Sequence, residues 1–524
     1  MTATVGGPGA ATTGGTGGEL DRRQIITVFV GLMTGLLLSA LDSNAVSTAL
    51  PTIVGDLGGL EQVAWVGTAY LLASTAVTPL YGKLSDLHGR KPLFQVAIVL
   101  FVIGSLGCAV ATEMWMLVLA RGVQGLGGGG LLAMAFVIVG DVVPPRERGR
   151  YVGFFTSVFA FGSVAGPLMG GFFSDHFTWR WIFWINLPLG IAALVVTSRA
   201  LRVEFVKHQR KIDILGATLL VASVTSLILA TSWASRRDGW SAPSTVGLLA
   251  AAVGLAAVFI AWETRASEPI MPLRLFRNSI FTLVTIISVG VGSVMFGANY
   301  FLPLYLQIVQ GASATSSGLL LLPLMAGVTV ASITSGRLTS ITGRYKVFPI
   351  LGTGLAALGV FLISLMDHTT PRVATSATML LIGLGIGMSM PTITLAVQNS
   401  VDWRDMGTAT GLTTFFRTLG GAVGVAVYGA LLNARLDVHL ADELPAGTAI
   451  DKDVLLQSPK AIRSLEPIAV REGVIRAVAD AVTDIFTVAT PVLVVCFVAA
   501  WFVKELPLRS TSSLQEARPV AAHE

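Results

Sequence analysis

GKLSDLHGR at positions 82–90 returns as GRLTSITGR at 336–344, with Gly, Leu, Gly and Arg in the same places. A second pair, RERGRYVGFFTSVFAFGSVAGPLMGG (146–171) and RDMGTATGLTTFFRTLGGAVGVAVYG (404–429), agrees at Arg146, Gly149, Gly153, Thr156, Gly162, Gly166 and Gly171. Glycine coincidences are common in glycine-rich helices, so one pair alone would say little. Two pairs whose spacings nearly match, 254 and 258 residues, describe a chain that repeats itself at about half its length.

The surroundings of these motifs identify the medium. The 524 residues are 53% hydrophobic and 12% charged, with a mean hydropathy of +0.74. A soluble domain carries about 25% charged residues, so this chain is solvated mainly by lipid. Apolar runs near the length of about 20 residues that crosses a bilayer fall near 24–48, 62–81, 93–111, 114–140, 151–173, 181–198, 213–234 and 244–262. Six more fall near 279–306, 316–336, 347–366, 373–397, 407–433 and 485–503. In these fourteen spans the repeat lays spans 1–6 onto spans 9–14 and leaves 7 and 8 as an insertion. The expected organisation is a tail over 1–23, a six-helix bundle over 24–200, two inserted helices over 201–265, and a second bundle over 266–504. That second bundle carries a long external loop, 434–484, and a tail follows over 505–524. The Gly/Thr/Ala-rich start is expected to be disordered and lacks the pattern of a signal peptide.

The 35 Lys and Arg residues orient the chain. Twenty-three fall on one side of this layout and only Arg180, Arg236, Arg237 and Arg372 in the short loops opposite. Such a bias places the basic side and both termini in the cytoplasm of a plasma (inner) membrane. The net charge of +5 and pI near 9.3 therefore report topology and not a nucleic-acid partner. The two cysteines, Cys108 and Cys496, lie inside apolar runs, and His88, His176, His208, His368, His439 and His523 all fall in loops or tails. That leaves no buried metal or nucleophile cluster, so neither an enzyme nor a metal cofactor is expected. No G-x-x-x-x-G-K-[ST] loop exists to bind ATP. The G-x-G-x-x-G of Gly125–Gly130 lies within a span with no preceding strand, which excludes a dinucleotide site.

One carboxylate, Asp42, sits deep in a span. An acid at the bilayer centre costs about 2.5–3.5 kcal/mol on insertion scales and marks a functional site by default. Helical spacing puts Gly31, Gly35, Ser39, Asp42 and Ala49 on one stripe and Phe29, Met33, Leu36 and Leu37 opposite, so the acid is expected to face the bundle. Burial would move its proton affinity toward the physiological range; a purely structural acid is the alternative. Arg121, in span 4, stands at a comparable distance from the same membrane face, within reach of Asp42 if the two spans are neighbours. Gly162, Gly166 and Gly170 recur every four residues around Pro167, a pattern suited to close helix approach with a local bend.

LDSNAVSTALP (41–51), GKLSDLHGRKP (82–92), RGVQGLGGGG (121–130), GSVAGPLMGG (162–171), WRWIFWINLP (179–188) and FLPLYLQ (301–307), in this order and on these spans, resemble the fourteen-span drug:proton antiporters of the major facilitator superfamily. The resemblance covers roughly residues 24–506. It implies an all-α membrane protein of two six-helix bundles plus two inserted helices, working as a monomer on a small-molecule substrate with protons as the coupling ion. It assigns proton coupling to Asp42 and Arg121, and a conformational latch to Gly82, Asp86, Gly89, Arg90 and Asp141. In that latch Arg90 pairs with Asp141, and Asp86 faces the start of span 13 near Gly407. The second copy has Ser340 in place of the acid, which makes the latch one-sided. Gly162, Gly166, Pro167 and Gly170 correspond to the antiporter motif.

Tyr70, Gln124, Asn299, Tyr300, Tyr305, Gln398 and Arg417 are candidates for a substrate cavity, because aromatic and amide groups suit amphipathic ligands. With one candidate acid against Arg121 and Arg417, monovalent cations, zwitterions and neutral amphiphiles are expected over dications. Export of one endogenous metabolite or lipid, or a sensing role without transport, are the competing functions.

Overall fold

The computed structural model describes residues 22–58, 63–200, 213–234, 239–312, 314–402, 405–444, 462, 465 and 467–508. Most of both expected tails and the middle of the loop 434–484 lie outside the described residues. Every regular element among them is helical. The first half contains α1 (Arg22–Leu57), α2 (Val63–His88), α3 (Arg90–Ala109), α4 (Met114–Val142), α5 (Pro145–His176) and α6 (Trp181–Trp184, resuming as Asn186–Ala200). Next come α7 (Ile214–Ala234) and α8 (Pro243–Glu263). The second half contains α9 (Ser279–Ile308), α10 (Ala314–Leu320, resuming as Leu322–Thr342) and α11 (Val347–Ser364). It ends with α12 (Arg372–Ser400), α13 (Met406–Glu443) and α14 (Ile468–Phe502).

Thirteen of these, among the described residues, are long and apolar enough to cross a membrane. The remaining one, α2, has 26 residues, about 39 Å of helix at 1.5 Å each. Its apolar run is diluted by Thr68, Tyr70, Ser74, Thr75 and Thr78, which is tolerable because it packs between α4 and α13.

The packing repeats as the sequence does. In the first half α1 packs on α5 and α6, α2 on α4, and α3 on α4 and α6. In the second, α9 packs on α13 and α14, α10 on α12, and α11 on α12 and α14. The bundles meet through α2 against α13 and α5 against α10, a pair of contacts exchanged by the same internal symmetry. Helices α7 and α8 pair with each other, α7 leaning on α2 and α13. The buried carboxylate of Glu263 accepts from the N–H groups of Ile270 and Met271, both at 3.1 Å, and ties the end of α8 to the segment entering α9.

Two expectations fail. Residues 434–484 are not one long loop: α13 runs ten residues past 433 and α14 begins at Ile468. Across 468–485, Val474, Val478, Val482 and Ile485 are fully buried in one core with Leu436, so this stretch is part of the bundle. The charges that suggested a loop are paired between the extended helices, Arg476 with Glu443 at 2.6 Å and His439 with Asp484 at 3.0 Å. Pairing removes the reason for the helices to stop.

The second failure concerns α1, which does not turn one face to lipid at Phe29 and Leu36. Leu36 is buried, and Phe29 stacks on Phe155 at 5.0 Å between centroids, with Tyr151 edge-on at 4.9 Å. Helix α5 covers this side of α1, and the surface it leaves includes Ile26 and Val30.

Candidate functional site

Asp42 sits in α1 where α4 and α6 converge, with 1% of its surface exposed. Its carboxylate forms an ion pair with the Arg121 guanidinium through Nη1 and Oδ2. The other oxygen accepts from Gln124 Nε2 at 2.8 Å and Asn186 Nδ2 at 2.9 Å. Arg121 also donates to the Gln124 amide oxygen at 2.7 Å and the Val66 carbonyl at 3.2 Å. Its guanidinium lies 4.4 Å from the Tyr70 ring centroid, and the Tyr70 hydroxyl is 2.8 Å from Ser39 Oγ. A charge pair in a low-dielectric interior needs its remaining donors and acceptors satisfied, and this one has them. Gln124 and Tyr70, expected in a cavity, thus belong to the buried acid's own shell. Asn186 was not among the expected site residues. Its amide stands alone inside the apolar run WIFWINLPLG (181–190), which is the signal that periodicity overlooks.

The glycine run of α4, rejected as a dinucleotide loop, serves close packing. Side chains on Gly125 and Gly129 would strike the α2 backbone at Tyr70 and Ser74. Helix α2 therefore lies directly on α4 beside Arg121. In α5, a Cβ on Gly162 would approach Ala40 Cβ within 2.6 Å, and one on Gly166 would approach Asn44 Cβ within 2.6 Å. Gly170 similarly meets the Ala45 carbonyl. The stripe around Pro167 is the seam between α5 and the acid-bearing α1.

About sixteen residues along α2 from Tyr70, the chain reaches the basic face. There Asp86 Oδ2 accepts from Thr408 N at 2.9 Å and Thr408 Oγ1 at 2.8 Å, at the start of α13 in the other bundle. Arg90 bridges Asp86 and Asp141, each at 2.5 Å. Gly407 leaves room for Asp86 and Arg90, which any side chain there would meet. A Cβ on Gly82 would come within 2.8 Å of the Gly407 carbonyl, and one on Gly149 within 2.9 Å of the Gly336 carbonyl. Gly82 and Gly336 are repeat partners, as are Gly149 and Gly407, so the two seams exchange under the internal symmetry. Gly89 (φ 94°) and Gly343 (φ 73°) turn the chain at equivalent places, in a backbone region that glycine adopts without penalty. The acid Asp86 has no counterpart: Ser340 stands in its place and donates back to the Gly336 carbonyl at 3.0 Å.

The remaining cavity candidates do not converge. Tyr300 is 61% exposed, and Tyr305 donates to the Asp367 carbonyl at 2.7 Å at the far end of α9, with Asn299 nearly two turns before it. Gln398 and Arg417 both lie on the seam between bundles, against different parts of Phe136. Gln398 donates to the Phe136 carbonyl at 3.1 Å, and the Arg417 guanidinium lies 5.2 Å from the Phe136 ring. A groove of about 540 Å³ lined by Phe173, Trp181, Trp184 and Pro188 lies at the α5–α6 corner and includes none of the candidates. On the same corner, the Trp179 indole (2.9 Å) and Arg180 (2.7 Å) donate to Asp56 and hold its carboxyl below the usual carboxylate range.

Two parallel six-helix halves packed about a common seam define a major facilitator transporter. Residues 32–425 match the profile of the Major Facilitator Superfamily, and the chain belongs to that family. It is 40% identical over 511 residues to an uncharacterized MFS-type transporter of Mycobacterium tuberculosis, covering 96% of this chain and 74% of that one. It is 37% identical to the multidrug transporter protein MdtP of Bacillus subtilis (82% and 78% covered) and 33% identical to multidrug resistance protein 3 of the same organism (94% and 98%). The solved proton:xylose symporter XylE shares the fold, with a TM-score of 0.62 at 14% identity over 95% of this chain and 99% of that one.

Proposed function

We propose that this transporter exports small amphipathic molecules from the cytoplasm in exchange for protons, by alternating access. The observation that carries the reading is the Asp42 carboxylate, buried in the membrane and held by one guanidinium and two amides. A proton on that carboxylate cancels its charge and releases Arg121 from its ion pair. Arg121 rests on Tyr70, and α2 runs from Tyr70 to Asp86, a distance of about 24 Å along the axis. A shift of the guanidinium is thereby passed along α2 to the contact between bundles. Export is favoured by the relatives, which include a multidrug transporter and a multidrug resistance protein, and fits a basic side read as cytoplasmic. The protein would work as a monomer, since one chain holds both halves of the path.

The test is flux in proteoliposomes with and without an imposed pH gradient. Wild type should move an amphipathic fluorescent substrate against its gradient only when protons run the opposite way. Asp42→Asn should assemble, exchange substrate passively and lose the response to the proton gradient. Gradient-driven accumulation by that variant would remove Asp42 from the coupling role.

A further inference from the structure

Arg417 stands eleven residues into α13 from Met406, about 16 Å along the axis, which is near the middle of a hydrocarbon core about 30 Å thick. It is 6% exposed, donates to Met390 Sδ at 3.5 Å, and covers the ring of Phe136 across the seam. No carboxylate pairs with it among the described residues. Arg121 and Arg90, by contrast, each face acids. The repeat places Phe159 at the equivalent position of the first half, so the fold itself does not call for a cation there. Nearer the start of α13, on α12, the Gln398 amide oxygen is buried with no hydrogen-bond partner among the described residues, while its nitrogen donates to the Phe136 carbonyl. Among the described residues, a cation with no acid partner and a buried acceptor without a donor thus both lie against Phe136 between the bundles, the one over its ring and the other near its main-chain carbonyl. Because Asp42 and Arg121 cancel, the central region keeps the single positive charge of Arg417.

We infer that Arg417 binds an anionic group on the transported molecule, so that the substrates include apolar, ring-bearing molecules with one carboxylate or sulfonate. A buried ionisable residue in a membrane protein is retained for a partner, and guanidinium matches a planar oxyanion through paired N–H donors. Phe136, next to the guanidinium, offers aromatic contact to the apolar body. This inference rests on the reading that substrate passes between the bundles, and it puts monoanions ahead of the monovalent cations, zwitterions and neutral amphiphiles expected from the sequence.

The test reads equilibrium binding and not flux, so a failure of proton coupling would leave it standing. The full chain in lipid nanodiscs is dialysed against radiolabelled 1-naphthaleneacetate, 1-naphthaleneacetamide and 2-(1-naphthyl)ethylammonium, which share a ring and differ in charge. The anion should bind about tenfold or more tighter than the amide, as a charge-assisted hydrogen bond implies, with the cation weakest. Arg417→Met should bring anion and amide within about twofold of each other, while Arg417→Lys keeps part of the preference. Arg417→Gln, which retains a polar donor, serves if the Met variant is not monodisperse. Tightest binding of the cation, an anion preference that survives removal of the guanidinium, or binding of none of the three would each overturn the assignment.

Discussion

Asp86→Asn keeps the shape of the residue read as a latch and removes its charge. In the closed arrangement the carboxylate accepts two hydrogen bonds from Thr408 at the N-terminal end of α13, and these cross from one bundle to the other. Arg90 stays held by Asp141 in the variant, so the loop between α2 and α3 should remain folded. A negative charge at a helix N-terminus contributes about 0.3–1 kcal/mol when exposed and up to about 2 when partly buried. Asp86 is largely enclosed, with a side chain 12% exposed, which argues for the upper half of that range. A loss of about 1–2 kcal/mol moves the balance between closed and open basic faces about 5- to 30-fold toward open. Spin labels at positions 88 and 342, on the two loops of the basic face, should show this in double electron–electron resonance as a gain in the longer distance. Turnover should fall, while substrate affinity corrected for the population shift changes by no more than a few-fold. Lost transport with an unchanged distance distribution would refute the latch and leave Asp86 as a residue of folding or topology.

Ser340→Asp should do the reverse: it places an acid at the repeat-equivalent position, opposite the α5 backbone near Gly149 and Arg150, and should enrich the shorter distance between the same labels several-fold. Gly336→Ala puts a methyl group into the Gly149 carbonyl. Since both sides are backbone, the basic face should stay ajar, read as faster labelling of an engineered cysteine on the seam; unchanged labelling would show that the helices can slide apart without opening. Asn186→Ala removes one donor from the buried Asp42 carboxylate and should lower stability by about 1–3 kcal/mol, measured as a fall in Tm of the purified protein. A Tm equal to wild type would mean that Gln124 and Arg121 satisfy the acid alone.

The membrane class, the duplication and the count of spans were legible because each depends on a local property: the length of an apolar run, the place of charges, or glycines at a fixed offset. The same holds for Asp42, which stands out simply as an acid in a span. The contact between Asp86 and the start of α13 was anticipated only by resemblance, since no local rule joins residues 322 positions apart. The ends of α13 and α14 were misjudged because Arg476, Glu443, His439 and Asp484 look like loop charges until their partners are known.

The faces of α1 were misjudged for a related reason. In a soluble protein the solvent is polar, and the side of a helix that meets it can be read from the pattern. In a bilayer the solvent is as apolar as the core, so Leu36 in the interior and Val30 at the surface carry the same chemical signal. By itself, then, the sequence determined a duplicated membrane chain with one acid deep in a span and a basic side. Only the tertiary structure decided which donors hold that acid, with Asn186 arriving from α6, and which buried arginine was left without one. Those outcomes depend on how helices rotate against one another, and rotation leaves no trace in a sequence whose helices are apolar on every side.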